Sequence, residues 1–301
     1  MTAQAAPLNE RGGLPARPVR RRFPVAWLGI GPFAIFSTLF LVLPTIYLIV
    51  ASLQDRNGNL TLDNYTGLTD PTVVQAYSNS IEISLVTAIG GGIFGFLLAY
   101  SVIAGGLPGF LRSALMTFSG VASNFAGVPL ALAFVFTLGR QGLVSVLLKD
   151  VFHVDIYGAG FTIYSKIGLE LVYMYFQFPL MVLVIAPAID GLKKEWREAS
   201  QVLGASSAQY WRRVALPILM PSLLGAVILL FGNSFGAQAT AYQLTSGLIS
   251  LVTIVISAQM RGDVLFNPGL GYALAMGMVV IMSVSIAGYS LLQRRSERWL
   301  R

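Results

Sequence analysis

The sequence has no cysteine, a single histidine and few charged residues, and each scarcity excludes a class of function. Because its 301 residues include no Cys, disulfides, thiolate metal sites and cysteine nucleophiles are excluded. His153 stands alone among loop-like residues, which favours a structural role. No glycine is followed by lysine, so the phosphate-binding loop GxxxxGK[ST] is absent. No acid pair has metal-ligand spacing within an apolar segment, and we therefore expect a non-catalytic chain with no metal and no cofactor.

Charge is scarce and apolar residues are abundant. Charged residues make up 11% of the chain and hydrophobic residues 55%, with a mean hydropathy of +0.71. A chain of this composition cannot hide most of its apolar surface from water, so it is predicted to be an integral membrane protein. The net charge of +7 does not indicate nucleic-acid binding, because the arginines cluster beside apolar runs, where they set membrane orientation.

Long apolar runs predict the number of spans. A helix needs about 20 apolar residues to cross the hydrocarbon core. Six segments satisfy this requirement, namely residues 28–52, 79–104, 114–138, 165–189, 219–241 and 270–292. Residues 248–260 are too short to cross, and we expect them to form an interfacial or re-entrant helix on the outer face that shields a translocation path. Residues 1–23, which are rich in Pro, Gly and Arg, are predicted to be a flexible basic cytoplasmic tail. Residues 24–301 are then one transmembrane domain.

The basic residues predict the orientation. Short loops that carry Lys and Arg are retained in the cytoplasm. With the N-terminus inside, fifteen of the 20 Lys and Arg residues fall on the cytoplasmic side. Both termini are therefore predicted to be cytoplasmic, and so is the charged segment 190–217.

Segment 190–217, which we call the coupling loop, has the pattern of two short helices around a glycine. Glu195 is favourable at a helix N-terminus, and Gly204 permits a tight or left-handed turn. Ser206 or Ser207 can cap a second helix, and Pro217 suits the start of the next span. The pattern predicts an exposed knob. Amphipathicity alone leaves open whether it binds a soluble partner or lies on anionic lipid headgroups.

The spacing in this loop resembles the EAA loop, the signature of permease subunits of binding-protein-dependent ABC importers. Ser200 stands where that family usually has a second alanine. In the family, the loop inserts into a groove of an ATP-hydrolysing subunit and transmits its closure to the spans. The positions that match, and that the resemblance assigns to ATPase coupling, are Glu198, Ala199, Ser200, Gly204, Leu216 and Pro217.

The resemblance implies an architecture and a set of partners. It implies an all-α, multi-pass protein of the bacterial cytoplasmic (inner) membrane, with about six transmembrane helices in the MetI-like permease arrangement. The implied partners are two cytoplasmic ABC ATPase subunits, a second permease that is a different homologous chain, an extracytoplasmic solute-binding protein and membrane lipid, with no nucleic acid. ATP hydrolysis would then belong to a separate subunit.

Other stretches resemble the branch of this family that includes polyamine, sulfate and ferric-iron importers. The pattern runs through Asn79-Ser80, Thr87, Gly95 and Ala99-Tyr100, and continues in the glycine-bounded turn 139–142. Residues 235–242 are similar to a segment common in permeases for spermidine and putrescine. The resemblance favours a polyamine as the solute, and sulfate, ferric iron, an aminophosphonate or a sugar remain open.

Polar residues within the spans are candidates for a solute path. Asn124, Gln177 and Asn233 lie nearest mid-depth, although interhelical hydrogen bonding is the favoured interpretation of each. Glu170 is expected to pair with Lys166 four residues earlier on one helical face. Glu170 and Glu82, which lies near the outer end of its span, could attract a cationic solute.

These patterns together predict a permease subunit that imports a small polar solute by alternating access. Two alternatives remain open. One is a membrane scaffold that uses the same loop to bind a cytoplasmic protein without transporting anything. The other is an ion-coupled secondary transporter, which needs no ATPase.

Overall fold

The computed structural model describes residues 26–55, 57–261 and 266–297, which are overwhelmingly helical. Within them, the β-interaction present is an isolated bridge between Gln54 and Leu60. The α-helices are α1 Ala26–Ser37, α2 Leu43–Ser52, α3 Pro71–Ile103, α4 Gly109–Ala122, α5 Gly127–Leu138, α6 Leu143–Asp150, α7 Lys166–Asp190, α8 Lys194–Val202, α9 Ser207–Tyr210, α10 Leu216–Phe235, α11 Ala239–Thr245, α12 Val252–Arg261 and α13 Pro268–Glu297. Two π-helical turns, Thr38–Val42 and Trp211–Ala215, and a 3₁₀ helix, Asp63–Thr69, complete them.

Six segments of the described chain are long and apolar enough to cross a membrane, which confirms the predicted fold class. They are Ile30–Ser52, Pro71–Ile103, Gly127–Asp150, Lys166–Asp190, Ser207–Phe235 and Pro268–Gln293. The chain divides after Tyr47 into two units, and the core described below belongs to the second unit, which begins at Leu48. Residues 1–23, predicted to be a flexible tail, lie outside the described residues.

The core lies where α3, α7 and α10 pack together. Small residues of α3 allow this close approach: a Cβ atom added to Gly95 would lie 2.6 Å from the Cβ atom of Met181. The same addition at Gly91 would lie 2.5 Å from the Cβ atom of Gln177. Small faces of this kind let membrane helices approach backbone to backbone. The glycines of α3 therefore set the distance between α3 and α7.

The prediction of one helix over residues 114–138 was wrong. The chain forms α4 and α5 with a break at residues 123–126. Gly127 has φ +74°, and Pro129 in the first turn of α5 lacks an N–H group and cannot follow a regular helix without clashing with the carbonyl group of Phe125. The two helices still follow the length of α7. Arg112 of α4 bonds Asp190 at the end of α7 (2.6 Å), and the ring of Phe134 in α5 lies 5.7 Å from that of Tyr175.

The predicted fifth span is also shorter than expected. Helix α10 ends at Phe235, and α11 begins at Ala239 after a break at residues 236–238, so residues 219–241 are not one helix. The short helix expected within residues 248–260 is present as α12, which has ten residues. The backbone N–H of Val252 in α12 donates to the Ser80 hydroxyl of α3 over 2.9 Å. This bond fixes the start of α12 against the core.

Each π-helical turn directly precedes a proline. The N–H of Leu43, before Pro44, donates to the Thr38 carbonyl, and the N–H of Leu216, before Pro217, donates to the Trp211 carbonyl. A proline ring displaces the carbonyl group four residues earlier, so a regular α-helical bond cannot form there. Widening the turn to an i→i+5 bond keeps the helix continuous across the proline. Helix α9, the second π-helical turn and α10 therefore form one long helical segment, Ser207–Phe235.

Candidate coupling loop and polar cleft

Local hydrogen bonds make the coupling loop a defined structure. After α8, Gly204 adopts φ +76°, the left-handed conformation that glycine reaches without strain. The N–H of Ala205 donates to the Ser200 carbonyl and the N–H of Gly204 to the Gln201 carbonyl, each over 2.9 Å. These two bonds form a Schellman motif, the common end of a helix that stops at glycine. Gly204 thus ends α8 as the sequence predicts.

The second helix of the loop begins with a capping box. The Ser206 hydroxyl accepts from the N–H of Gln209 over 3.3 Å, and the Gln209 side chain accepts from the N–H of Ser206 over 2.8 Å. This reciprocal pair satisfies two helix N–H groups that would otherwise lack partners. Of the two serines considered for this role, Ser206 is the cap.

The tip of the coupling loop exposes apolar side chains. Val202 and Leu203, directly before Gly204, are 88% and 85% exposed. Glu198 and Ala199 are exposed on the same short helix. Val202 and Leu203 were not among the site residues predicted from the sequence, although two aliphatic residues directly before a helix-ending glycine were the available signal. An exposed apolar patch of this kind is typical of a surface that contacts another protein or a membrane.

The predicted loop residues do not all lie at this tip. Glu198, Ala199, Ser200 and Gly204 lie together on and after α8, whereas Leu216 and Pro217 begin α10 beyond the π-helical turn. Pro217 shapes the helix that leaves the loop, and Leu216 provides the N–H of the i→i+5 bond. These two residues therefore belong to the connection between the loop and the span.

A second region, which we call the polar cleft, lies where two helices are broken. The cleft has a volume of about 420 Å³ and is lined by the break between α4 and α5 and by the break between α10 and α11. Its polar side chains are Ser123, Asn233, Gln238 and Thr240. The N–H of Gly127 donates to the Thr240 hydroxyl over 2.8 Å, and the Gln238 amide donates to the Ser257 hydroxyl of α12 over 2.5 Å. These bonds hold the two breaks and α12 together.

The structure separates the three residues predicted for the solute path. Asn233 is exposed and lines the polar cleft. Asn124 is exposed in the adjacent break, where its amide donates to the Gly120 carbonyl over 2.8 Å. Gln177 is fully buried, and its amide donates to the Leu230 carbonyl over 2.8 Å, so it joins α7 to α10. Asn124 and Asn233 thus lie near the cleft, and Gln177 lies in the helix packing.

The outer ends of α3 and α7 carry an ion pair that differs from the expected one. Lys166 forms a salt bridge with Glu82 of α3 rather than with Glu170, its neighbour on the same helix. The Lys166 ammonium group also lies 3.4 Å from the Asn79 side-chain oxygen, and the Asn79 amide donates to the Ser250 carbonyl over 3.0 Å. Close packing of α3 on α7 brings Glu82 within reach of Lys166. Among the described side chains, no group of three His, Asp or Glu could hold a metal ion.

Comparison with known proteins agrees with this geometry. The family described as "Binding-protein-dependent transport system inner membrane component" matches residues 91–299. The sulfate transport permease CysT of Salmonella typhimurium is 31% identical over 72% of this chain and 74% of its own length. The spermidine/putrescine permease PotB of Haemophilus influenzae is 27% identical over 87% of this chain and 94% of its own length. A chain of a bacterial ABC transporter that imports alginate has a TM-score of 0.69 at 18% identity, covering 90% of this chain and 95% of that chain.

These findings confirm the predicted multi-pass inner-membrane location and the predicted dependence on a solute-binding protein. The family match and the permease relatives also confirm that the chain is a non-catalytic permease subunit, with ATP hydrolysis in a separate subunit. The family covers the segment from the middle of α3 to the end of α13, including the coupling loop and the polar cleft. The chain belongs to the family of inner membrane components of binding-protein-dependent transport systems.

Proposed function

We propose that this chain pairs with a second, homologous permease, two cytoplasmic ATPase subunits and an extracytoplasmic solute-binding protein to import a small polar solute. The observation that carries the proposal is the coupling loop, which is held by local hydrogen bonds and exposes two aliphatic side chains at its tip. ATP-driven closure of the ATPase subunits moves the loop, and the movement alternates access to a path between the two permeases.

Docking of the ATPase is supported by the exposure of Val202 and Leu203. Burying one such side chain contributes about 1.5–3 kcal/mol, so two adjacent side chains add favourable free energy to docking. The Schellman motif and the capping box order the loop in advance, which lowers the entropy lost on binding. Glu198, exposed one turn before Val202, adds a charge that orients the partner. An ATPase groove lined by apolar side chains fits this surface.

The solute path is supported by the polar cleft. Non-helical backbone at membrane depth is tolerated only where protein or water covers it, because lipid offers no hydrogen-bond partners to the backbone groups. The breaks at residues 123–126 and 236–238 expose such backbone together with the Asn233 amide. We therefore assign this face to the second permease, with the solute passing between the two chains. Asn233 and Ser123 are the side chains offered to the solute, and Asn124 lies beside them.

We propose a polyamine as the solute, with sulfate as the competing candidate. PotB, which is named for spermidine and putrescine, matches a larger share of this chain (87% against 72%), whereas CysT is slightly more identical (31% against 27%). The resemblance of residues 235–242 to polyamine permeases supports the polyamine, since this segment forms one wall of the cleft. The described residues lining the cleft are uncharged and favour neither sign of charge.

The proposal is tested by purifying the tagged chain in mild detergent and identifying its partners by mass spectrometry. A Glu198→Lys, Gly204→Asp double variant should lose the ATPase that the wild type retains. The matched control is Asp63→Lys, Gly58→Asp, because Gly58 also has a positive φ (+84°) with no neighbouring atom within 4 Å, in a loop predicted to lie outside. The control should retain the ATPase. A folded wild type that brings down no ATPase would refute the proposal and favour a scaffold or an ion-coupled transporter.

The solute is then tested with ATP-loaded vesicles that contain the complete complex and its binding protein. Labelled spermidine and labelled sulfate are supplied in parallel, each with an excess of the other as competitor. Uptake of spermidine that sulfate does not inhibit supports the polyamine proposal. Uptake of sulfate alone overturns it and leaves the importer itself intact.

A further inference from the structure

Trp211 lies near the end of the coupling loop and packs against the inner end of α3. Its ring centroid lies 4.7 Å from that of Tyr100, with the planes at 74°, and 6.3 Å from that of Phe96, with the planes at 86°. Both contacts are edge-to-face, the arrangement that aromatic rings prefer. Tyr100 and Phe96 lie in the last two turns of α3. This aromatic cluster is therefore a side-chain connection between the end of the loop and a core helix.

Trp211 is also the first residue of the π-helical turn before Pro217. Tyr210 and Ala215, which flank the exposed Arg212 and Arg213, are 8% and 0% exposed, so one face of this turn is packed against the protein. The i→i+5 bond at this turn is the irregular point in a continuous helical segment that runs from the loop into the span. A widened turn of this kind is a frequent place for a helix to adjust at a functional site.

We infer that Trp211 is a positioning residue that fastens the coupling loop to the inner end of α3. The inference rests on the proposed function, because it concerns how the loop's displacement is passed on. With Trp211 in place, a displaced loop moves α3 through the aromatic cluster and α10 through the helix itself. Without Trp211, the π-helical turn deforms when the loop is displaced, and α3 does not move with the loop. Since α3 packs along α7, movement of α3 is what carries the change into the core.

The absence of cysteine makes a distance measurement straightforward, because spin labels can be placed at two introduced cysteines. Ser101→Cys and Ala208→Cys label exposed positions on α3 and α9, one beside each side of the aromatic cluster. Phe110→Cys on α4 with Ala208→Cys reports whether the loop moves at all. Both pairs are measured in the purified complex before and after addition of Mg-ATP with vanadate, together with the amount of bound ATPase and its rate of hydrolysis.

In the wild-type background, Mg-ATP should shift the Phe110–Ala208 distance and leave the Ser101–Ala208 distance unchanged. Trp211→Ala should keep the ATPase bound but make the Ser101–Ala208 distance shift and broaden on addition of Mg-ATP. Trp211→Phe should restore the constant distance. Tyr100→Leu should reproduce the loss from the other side of the contact, so the test stands even if Trp211→Ala folds poorly. Phe136→Ala, which removes an exposed ring from α5, is the control and should behave as the wild type.

A Trp211→Ala complex that binds ATPase and keeps the Ser101–Ala208 distance constant would overturn the inference and leave the proposed function intact. A wild-type complex without ATPase, or without any shift of the Phe110–Ala208 distance, would overturn both. In transport, the expected cost of the missing contact is about a tenfold loss of solute moved per ATP hydrolysed, within the usual range of coupling between sites.

Discussion

The coupling loop and the polar cleft each expose groups that do not suit their surroundings, the loop apolar groups and the cleft polar groups. The loop exposes Val202 and Leu203 where the charge pattern predicts water, and the cleft exposes Asn233 and backbone groups where hydropathy predicts lipid. A surface that is unfavourable in its own solvent indicates that something else covers it. Each region is therefore incomplete by itself: we propose that an ATPase covers the loop, and that a second permease and the solute cover the cleft.

The two regions also differ in how they are held. The bonds that order the loop join residues at most five apart, such as Ala205 to Ser200. The cleft depends on the bond from Gly127 to Thr240, which are 113 residues apart in the sequence. The turn between α8 and α9 can therefore be ordered before the loop binds, whereas the cleft exists only once α4, α5, α10 and α11 have packed.

The largest effect is expected from adding charge to the tip of the loop. In Val202→Asp, Leu203→Asp, two carboxylates that docking would bury replace two apolar side chains, and burying each apolar side chain contributes about 1.5–3 kcal/mol. The complex should bind ATPase at least about 100-fold more weakly, measured by titrating purified ATPase into the detergent-solubilised chain. Leu60→Asp is the control, because Leu60 is 82% exposed in a loop predicted to lie outside. Unchanged ATPase affinity in the double variant would mean that the ATPase docks on another surface of the chain.

The next largest effect should come from the bond that holds the cleft together. Thr240→Val keeps the shape of the buried side chain but leaves the N–H of Gly127 without its partner, at a cost of about 1–3 kcal/mol. Thr245→Val is the matched control, because the buried Thr245 hydroxyl donates to the Ala241 carbonyl in its own helix and its loss leaves no donor unpaired. The midpoint of thermal unfolding in detergent should fall for Thr240→Val and change little for Thr245→Val. Equal shifts would mean that the two breaks are joined by other contacts.

This difference in construction explains how much the sequence could predict. Gly204 was identified correctly, and the helix cap was narrowed to Ser206 or Ser207, because a helix end and an N-terminal cap depend on a few neighbouring residues. The number of spans followed from hydropathy, and the family followed from the spacing in the loop. Neither route required knowledge of which helices touch.

The breaks in the spans and the ion pair at Lys166 were not predicted, because each depends on distant residues or on a proline within an apolar run. Residues 114–138 have the hydropathy of one span, and hydropathy does not register the effect of Pro129 and Gly127 on the backbone. The sequence favours Glu170 as the partner of Lys166, because both lie on one helical face, whereas the packing of α3 on α7 places Glu82 against Lys166. The polar cleft arises from these same features and could not be assembled from single segments.

A smaller effect on ATPase binding is expected at Gly204, where a substitution strains the backbone and need not add charge. An alanine at φ +76° costs about 1–2 kcal/mol, and no atom lies within 4 Å of the added Cβ, so the cost is conformational. Gly204→Ala should weaken ATPase binding by about 5- to 30-fold, and Gly204→Asn should weaken it less, since Asn tolerates this conformation. Gly58→Ala carries similar strain in a different loop and should leave ATPase affinity unchanged. If both variants reduce ATPase binding equally, the loss reflects general destabilisation.

The smallest effect on stability should be seen at Gln177. Comparing it with Asn233 separates a residue of the helix packing from a residue of the proposed solute path. Interhelical hydrogen bonds in membranes contribute about 0.6 kcal/mol on average, so Gln177→Leu should lower stability only slightly. It should also leave uptake intact, because the Gln177 side chain is buried against Leu230 rather than in the cleft. Asn233→Leu should do the opposite, keeping stability while reducing uptake of labelled spermidine or sulfate per bound ATPase. Both variants are measured in the same ATP-loaded vesicles and by thermal unfolding. Loss of uptake in Gln177→Leu with normal uptake in Asn233→Leu would place the solute path between α7 and α10 instead of at the two helix breaks.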